Sequence, residues 1–198
     1  RELESGEDEF VKPELLPLGE DSSTLRPSIE TSLHALMPHR YVVHVHSVNA
    51  IGSAVLHDGK NKVAQLLHGI NWSWVPYVRP GIPLAKAVHR VMRPGLNVLV
   101  LANHGLVLGA ETKDDVLELL NEVEGRLYRL PRKTGIVDDN KIKSLVKNTE
   151  YGTSSHALVH SLAFDPLALS IVAKNPLYPD HIVFLGRGLG FHSRLGRC

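Results

Sequence analysis

Two histidines occupy alternate positions in the stretch YVVHVHSVNA, which spans residues 41–50. Because successive side chains of a strand point to opposite faces, His44 and His46 project from the same face while the valines beside them pack behind. Neutral imidazole is a common ligand of zinc and other divalent metals. The pair therefore predicts a metal site; the alternative is two unrelated polar side chains on a solvated strand face.

A third histidine follows another apolar strand. In VLANHGLV, His104 comes at the strand end, and Gly105 behind it permits a tight turn that exposes the imidazole. Three imidazoles from two strand ends would form a facial ligand set that leaves positions on Zn²⁺ open, as in catalytic sites. We therefore expect the two strand ends to converge, which the spacing of the residues alone does not establish.

A carboxylate precedes the histidine strand, in the first turn of a predicted helix. Glu30 could serve there as a further ligand or as a general base, with its pKa set by the cation and by burial. Its alternative role is that of an ordinary first-turn acid favoured by the helix dipole. His34 lies one turn later on the same face and forms a rival ligand pair with Glu30, although we expect it beside the metal ligands or at the surface.

The elements that must position these residues follow from hydrophobic periodicity and turn signals. The pattern predicts a helix in 24–37, a strand in 40–48, two short helices in 49–67 broken around Asp58-Gly59, a strand in 73–78, a helix in 81–92 and a strand-turn-strand unit in 96–110. The clearest helix lies in 111–130, with Thr112 as its cap. Its expected buried stripe is Val116, Leu119, Leu120, Val123 and Leu127.

Mixed strands and helices without strict βαβ alternation predict an α/β layered domain. The composition changes after Pro131, so we expect residues 1–130 to form the main domain and residues 131–198 a C-terminal α/β extension. That extension is predicted to hold a short helix in 132–155, a helix in 156–174 and a strand in 179–186. Because the sequence opens on Arg1 rather than Met, a functional element could precede it.

Composition bounds the class of protein. The chain has 198 residues, 43% apolar and 22% charged, which is typical of a soluble globular protein. Lys and Arg number 22 against 21 Asp and Glu, and this net charge of +1 indicates no surface for nucleic acid. The single cysteine, Cys198, excludes a disulfide framework and a cysteine-rich zinc site. With no apolar run of about 20 residues and no signal segment, we expect a cytoplasmic protein without membrane partners.

Three segments, at 26–50, 75–88 and 98–124, together resemble the class II aldolase/adducin family over half of the chain. They read RPSIETSLHALMPHRYVVHVHSVNA, VPYVRPGIPLAKAV and VLVLANHGLVLGAETKDDVLELLNEVE. Within the family, the sequence is most similar to large proteins in which a rhamnulose-1-phosphate aldolase is fused to an alcohol dehydrogenase. The resemblance implies a three-layer αβα domain with a central, mostly antiparallel sheet flanked by helices.

The resemblance also assigns roles to the residues above. It implies that His44, His46 and His104 bind Zn²⁺ or another divalent metal. Glu30 falls on the family acid that ligates the free metal and serves as base when substrate binds. The implied partners are a small sugar or sugar phosphate as substrate and further copies of the chain in a homotetramer.

Substrate contacts match the family less completely. Ser28 falls where a family serine helps to hold substrate phosphate, whereas Ile29 replaces the second serine. The upstream Gly-Asn-x-Ser phosphate loop of the family is absent from this sequence. The family's catalytic tyrosine has no matching motif here, and its candidates are Tyr128, Tyr151 and Tyr178.

The implied activity is metal-dependent aldol cleavage of a small ketose or ketose phosphate through an enediolate. Epimerisation, dehydration and decarboxylation would use the same metal set, because each passes through a stabilised enolate. A non-catalytic interaction module of the adducin type is the other alternative. The joint presence of Glu30, His44, His46 and His104 speaks against it.

Other features carry less weight. LGRGLGF, at 185–191, imitates a dinucleotide-binding loop, but neither a helix nor an acidic ribose-binding residue follows it. His156 and His160 are four residues apart on a predicted helix, where a surface pair is the expected role. The aromatic residues in 72–77 are expected to pack in the core or to form a wall of the site, although one ring could line its mouth. Arg79, which follows them in the chain, is a candidate phosphate contact.

Overall fold

The computed structural model describes residues 28–132, 138–154, 156–174, 176–178 and 182. The chain divides into two compact units, which separate between Arg129 and Leu130. From residue 28 onwards, the elements of the first unit are α1 Thr31–Ala35, β1 Tyr41–Val45, α2 Val48–Ala54, α3 Gly59–Leu66, β2 Trp72–Val75, α4 Ile82–Val91, β3 Val98–Leu101, β4 Gly105–Ala110 and α5 Lys113–Leu127. The assignment of separate domains to 1–130 and 131–198 stays a prediction.

The four strands form one sheet in the order β1-β4-β3-β2. β4 is antiparallel to both of its neighbours, β1 and β3, whereas β2 and β3 are parallel. The central sheet is therefore mostly antiparallel, as predicted. A consequence for the site is that β1, β2 and β3 run in the same direction, so that their carboxyl ends lie at the same edge of the sheet.

Helices cover both faces of this sheet, and the predicted three-layer arrangement is confirmed. Successive residues of β3 alternate between the two faces, because side chains of a strand have a period of two. One core cluster joins α2, α3 and α5 to the sheet through Ala50, Val63, Leu67, Val98, Val100, Leu106, Leu108, Val116, Val123 and Leu127. The other joins α1 and α4 to it through Leu33, Met37, Val75, Leu84, Val88, Leu96, Leu99, Leu101 and Val107.

Local sequence signals explain several element boundaries. The Thr112 hydroxyl accepts a hydrogen bond from the Asp115 backbone N–H at 3.1 Å, which caps α5 as predicted. In the predicted stripe of α5, Val116, Val123 and Leu127 are buried, whereas Leu119 and Leu120 are partly buried.

The predicted break around Asp58-Gly59 is present between α2 and α3. At Gly59, a Cβ would lie 3.0 Å from the Ala54 carbonyl oxygen, so the close approach there favours glycine. The strand predicted in 73–78 begins one residue earlier and ends at Val75, because Pro76 has no N–H to continue the ladder.

The second unit contains α6 Asp139–Val146, α7 Ala157–Ser161, a 3₁₀ turn Leu162–Phe164 and α8 Pro166–Val172. The single helix predicted in 156–174 is thus interrupted. Asp165, the residue before Pro166, takes an extended conformation, and its carboxylate accepts hydrogen bonds from the backbone N–H groups of Leu167 and Ala168, both at 3.1 Å. The strand predicted in 179–186 and the loop-like segment 185–191 lie outside the described residues. Within those residues, no helix has the length and apolarity that crossing a bilayer requires.

Candidate metal centre

The candidate ligands meet at the edge of the sheet where β1 and β3 end. His44 lies in β1 and His46 directly follows it, whereas His104 lies in the turn between β3 and β4. The two strands are not paired with each other, because β4 lies between them. They converge because both are antiparallel to β4. Glu30 immediately precedes α1 and reaches the same edge.

Four ligand atoms form a closed ring of short contacts. The Glu30 carboxylate oxygen lies 3.3 Å from Nε2 of His44 and 3.1 Å from Nε2 of His104. Nε2 of His46 lies 3.0 Å from Nε2 of His44 and 3.1 Å from Nε2 of His104. All four atoms lie within 4.8 Å of one another. The sequence prediction that these residues converge therefore agrees with the geometry, while their roles as ligands stay predictions.

The dimensions of this ring fit a divalent cation. Zinc binds imidazole nitrogen at about 2.0–2.1 Å, so neighbouring ligand atoms of a tetrahedral site are about 3.3 Å apart. Four of the six distances among these atoms, 3.0–3.3 Å, agree with that spacing, and the other two are no longer than 4.8 Å. Moreover, ring nitrogens that point their lone pairs at one another repel unless a positive charge lies among them. A proton or a metal ion satisfies that requirement, and three imidazoles with a carboxylate are a typical donor set for Zn²⁺.

A backbone carbonyl sets the tautomer of His44. Its Nδ1 lies 2.7 Å from the carbonyl oxygen of Leu106, so the ring donates its Nδ1–H there and directs the lone pair of Nε2 into the ring of ligand atoms. Such an outer hydrogen bond is the usual support of a metal-binding histidine. The side chains of His44 and His104 are each 6% exposed, whereas His46 is exposed, so one side of the cluster remains open to a small molecule.

Gly105 permits the approach of the two histidine-bearing segments. A Cβ on this residue would overlap the carbonyl oxygen of Val45 and lie 3.1 Å from Cα of His46. The sequence indicates that glycine allows a tight turn at this position. The structure gives a second reason for glycine, because the backbone of β1 passes directly beside this residue. Asn103 adopts φ 54°, a left-handed conformation that asparagine tolerates better than most residues.

The electrostatics of Glu30 reflect its histidine neighbours. Burial alone would raise the pKa of its carboxyl group, but hydrogen bonds and positive charge from His104 and His44 outweigh burial and hold the pKa well below its usual range. The carboxylate is therefore ionised at neutral pH. A negative oxygen beside three imidazoles adds to the preference of this site for a cation.

Ser28 supports the loop that carries Glu30. Its hydroxyl accepts a hydrogen bond from the backbone N–H of Glu30 at 3.2 Å, and its carbonyl oxygen accepts one from the Thr31 hydroxyl at 2.8 Å. Ser28 is exposed, so its hydroxyl hydrogen remains accessible to a ligand. The predicted contact with substrate phosphate stays a prediction, and the observed role is to fix the backbone of Glu30.

His34 lies beside the ring of ligand atoms and is not one of its members. Its imidazole packs edge-on against that of His44, with ring centroids 6.2 Å apart. Burial, followed by the proximity of His44, lowers the pKa of His34, so the imidazole is neutral at pH 7. This placement agrees with the expectation of a residue beside the metal ligands.

The remaining sequence candidates lie in different environments. Trp72 and Trp74 pack against a core cluster, whereas Tyr77 is 52% exposed and follows β2 at the same sheet edge as the candidate ligands. That one ring of the stretch 72–77 lines the mouth of the site stays a prediction. His160 Nε2 lies 2.8 Å from the carbonyl oxygen of Ser154, which gives that ring a local structural partner.

The amino-acid sequence matches the model of the family described as the Class II Aldolase and Adducin N-terminal domain over residues 7–128, which is more than half of the chain. The chain belongs to this family. The predicted family assignment, made from three sequence segments, is thereby confirmed.

Two relatives show how much of a protein the match covers. A Bacillus subtilis (strain 168) protein named uncharacterized oxidoreductase YuxG is 40% identical over 96 residues, which are 48% of this chain and 14% of that protein. The N-terminal class II aldolase domain of a conserved protein from Thermoplasma acidophilum is 29% identical, with a TM-score of 0.50, and the match covers 54% of this chain and 49% of that structure. The chain thus spans one seventh of the curated relative and half of the solved structure.

Proposed function

We propose that this class II aldolase-type domain binds one divalent metal ion, Zn²⁺ in our proposal, through His44, His46 and His104. In this proposal it cleaves a carbon–carbon bond of a small ketose or ketose phosphate by way of an enediolate. The closed ring of three imidazole nitrogens and one carboxylate oxygen carries the proposal. Three neutral ligands from rigid strand ends and one displaceable carboxylate make an open site, which suits substrate binding better than a structural role.

The chemistry requires charge stabilisation and one proton transfer. Retro-aldol cleavage leaves an electron pair on the carbon next to the carbonyl group, and a bound divalent cation supplies Lewis-acid stabilisation of that charge. Glu30 then acts as the base: its carboxylate accepts the proton of the hydroxyl on the carbon that becomes the aldehyde. After the bond breaks, the same carboxyl group returns the proton to the enediolate carbon. The position of this oxygen, 3.3 Å from Nε2 of His44 and 3.1 Å from Nε2 of His104, supports this role, because these histidines would hold the metal ion.

The donor set supports enolate chemistry in general more strongly than it supports any one product. An epimerase, a dehydratase or a decarboxylase would use the same residues, and a non-catalytic adducin-like module would not need them. A homotetramer, a cytoplasmic location, a role in carbohydrate metabolism and membership of the aldolase–dehydrogenase fusion subgroup are further proposals that rest on the family resemblance.

The test combines metal analysis with a substrate panel. Purified protein, freed of metal by a chelator and reloaded with Zn²⁺, is assayed for aldehyde release from free ketoses and from ketose phosphates. We expect metal-dependent release from at least one of them. Bound metal without cleavage of any member would redirect the proposal to the other enolate reactions, and a chain that binds no divalent metal would favour the interaction module.

Glu30→Gln tests the role of the base. This substitution keeps the size of the side chain and removes its negative charge, so the protein should still bind metal while turnover falls by roughly 10²–10⁴-fold, the usual range for general base catalysis. Glu111→Gln is the matched control, because Glu111 is exposed and lies after β4, outside the ligand ring. A Glu30→Gln protein as fast as the wild type would remove Glu30 from the mechanism.

A further inference from the structure

Two neighbouring residues at the candidate metal centre each bury a polar atom that makes no hydrogen bond to the described part of the chain. These atoms are Oδ1 of Asn103 and Nδ1 of His104. The His104 residue is 6% exposed, so water reaches its ring poorly. Buried polar atoms in proteins are nearly always paired, and two adjacent exceptions at one site call for a physical explanation.

The chemistry of imidazole gives these two atoms complementary roles. When Nε2 of His104 directs its lone pair towards the other ligand atoms, the ring proton must reside on Nδ1, which then becomes a hydrogen-bond donor. His44 meets the same need by donating its Nδ1–H to the carbonyl oxygen of Leu106. Among the described residues, no carbonyl oxygen accepts from Nδ1 of His104, and the amide oxygen of the preceding residue is a buried acceptor that receives no hydrogen bond.

We propose that Asn103 is a positioning residue whose amide oxygen accepts the Nδ1–H of His104. The pairing fixes the tautomer and the plane of the imidazole, and it raises the basicity of Nε2 towards a metal ion. Because Nε2 of His104 is held in the ligand ring by its contacts with Glu30 and His46, the pairing requires the Asn103 side chain to turn towards Nδ1 of the adjacent residue. The inference rests on the proposed metal centre and adds to it a residue that holds one of the metal ligands by a hydrogen bond.

The backbone conformation of Asn103 offers a simpler explanation for an asparagine at this position, and the test must distinguish it from the role of the amide oxygen. Its φ of 54° lies in the left-handed region, where glycine, asparagine and aspartate are all tolerated. If the backbone alone required asparagine, Asn103→Gly would bind zinc as tightly as the wild type. If the acceptor oxygen matters, Asn103→Gly should fail and Asn103→Asp should succeed, since aspartate retains both the oxygen and the conformational tolerance.

The experiment measures Zn²⁺ affinity of the wild type and both variants by competition with a chromophoric chelator. We expect Asn103→Gly to bind zinc roughly 10–100-fold more weakly, the usual effect of removing an outer hydrogen bond, and Asn103→Asp to bind at least as tightly as the wild type. In the zinc-loaded wild type, ¹⁵N NMR of the histidine rings should show the His104 proton on Nδ1, exchanging more slowly with water than in Asn103→Gly.

The outcomes separate this inference from the proposed function. A wild type that binds no zinc contradicts the metal centre itself. Equal affinity of the wild type and Asn103→Gly leaves the metal centre standing and overturns the role of Asn103. An equal loss in both variants, with circular dichroism showing the fold retained, also overturns it, because the acceptor oxygen would then not be the cause.

Discussion

Gly105 gives the sharpest test of how the end of β1 and the turn that carries His104 are held together. A Cβ at this position would overlap the carbonyl oxygen of Val45 and lie 3.1 Å from Cα of His46. Both neighbours are backbone atoms, so a change of side-chain rotamer does not relieve the overlap. The end of β1 must move away from the turn, and we expect Gly105→Ala to lower the free energy of unfolding by about 1–3 kcal/mol, the usual cost of overpacking.

The same displacement acts on the candidate metal centre. The contact of 3.1 Å between Nε2 of His46 and Nε2 of His104 joins the two segments that the added methyl group separates. Opening this contact by several tenths of an ångström takes one ligand out of reach. We therefore expect zinc affinity to fall by at least roughly tenfold, which corresponds to about 1.4 kcal/mol of binding free energy.

Urea unfolding of the metal-free protein and calorimetric titration with zinc measure the two effects separately. Gly125→Ala is the matched control, because its Cβ would meet no neighbouring heavy atom within 4 Å and the residue lies inside α5. The control should raise the free energy of unfolding by about 0.5–1 kcal/mol, since alanine is the better helix former, and leave zinc affinity unchanged. A Gly105→Ala protein with wild-type stability and wild-type affinity would refute the reasoning.

Two further substitutions test the support of the site and of the fold. Ser28→Ala should raise KM for ketose phosphates more than for free ketoses, because a hydroxyl donor to phosphate is lost. An equal rise in KM for both classes of substrate would leave Ser28 only the role of holding the Glu30 backbone. Thr112→Ala should lower the free energy of unfolding by about 1 kcal/mol in urea, because α5 loses its cap, whereas Thr112→Ser should retain it. Equal stability of the two Thr112 variants would contradict the capping assignment.

Local patterns in the sequence predict the local parts of this structure. The period of two places His44 and His46 on one face, and the spacing of Thr112 and Asp115 predicts the start of α5. These features depend on residues close together in the chain. Apolar spacing predicts one helix across 156–174, whereas Asp165 caps a new helix that begins at Pro166.

The convergence of the ligands has a different origin. It depends on β4 pairing with both β1 and β3, a nonlocal arrangement that no spacing within either segment determines. Asn103 and His104 each bury a polar atom that has no hydrogen-bond partner in the described part of the chain, and this likewise arises only from tertiary packing. The sequence therefore indicates the N-H-G turn and not the need for an acceptor. The resemblance to the family implies that these segments meet at one site, whereas the periodicity of each segment does not.

Metal content measured by mass spectrometry tests the central claim most directly. The wild type, His44→Ala, His104→Ala and the control His89→Ala, whose histidine is exposed on α4, are each dialysed against limiting Zn²⁺ and compared at equal protein concentration. The ring of ligand atoms predicts about one zinc per chain in the wild type and in the control, and loss of that zinc in the other two with the fold retained. A wild type that binds no zinc, or full occupancy in both His44→Ala and His104→Ala, would contradict it.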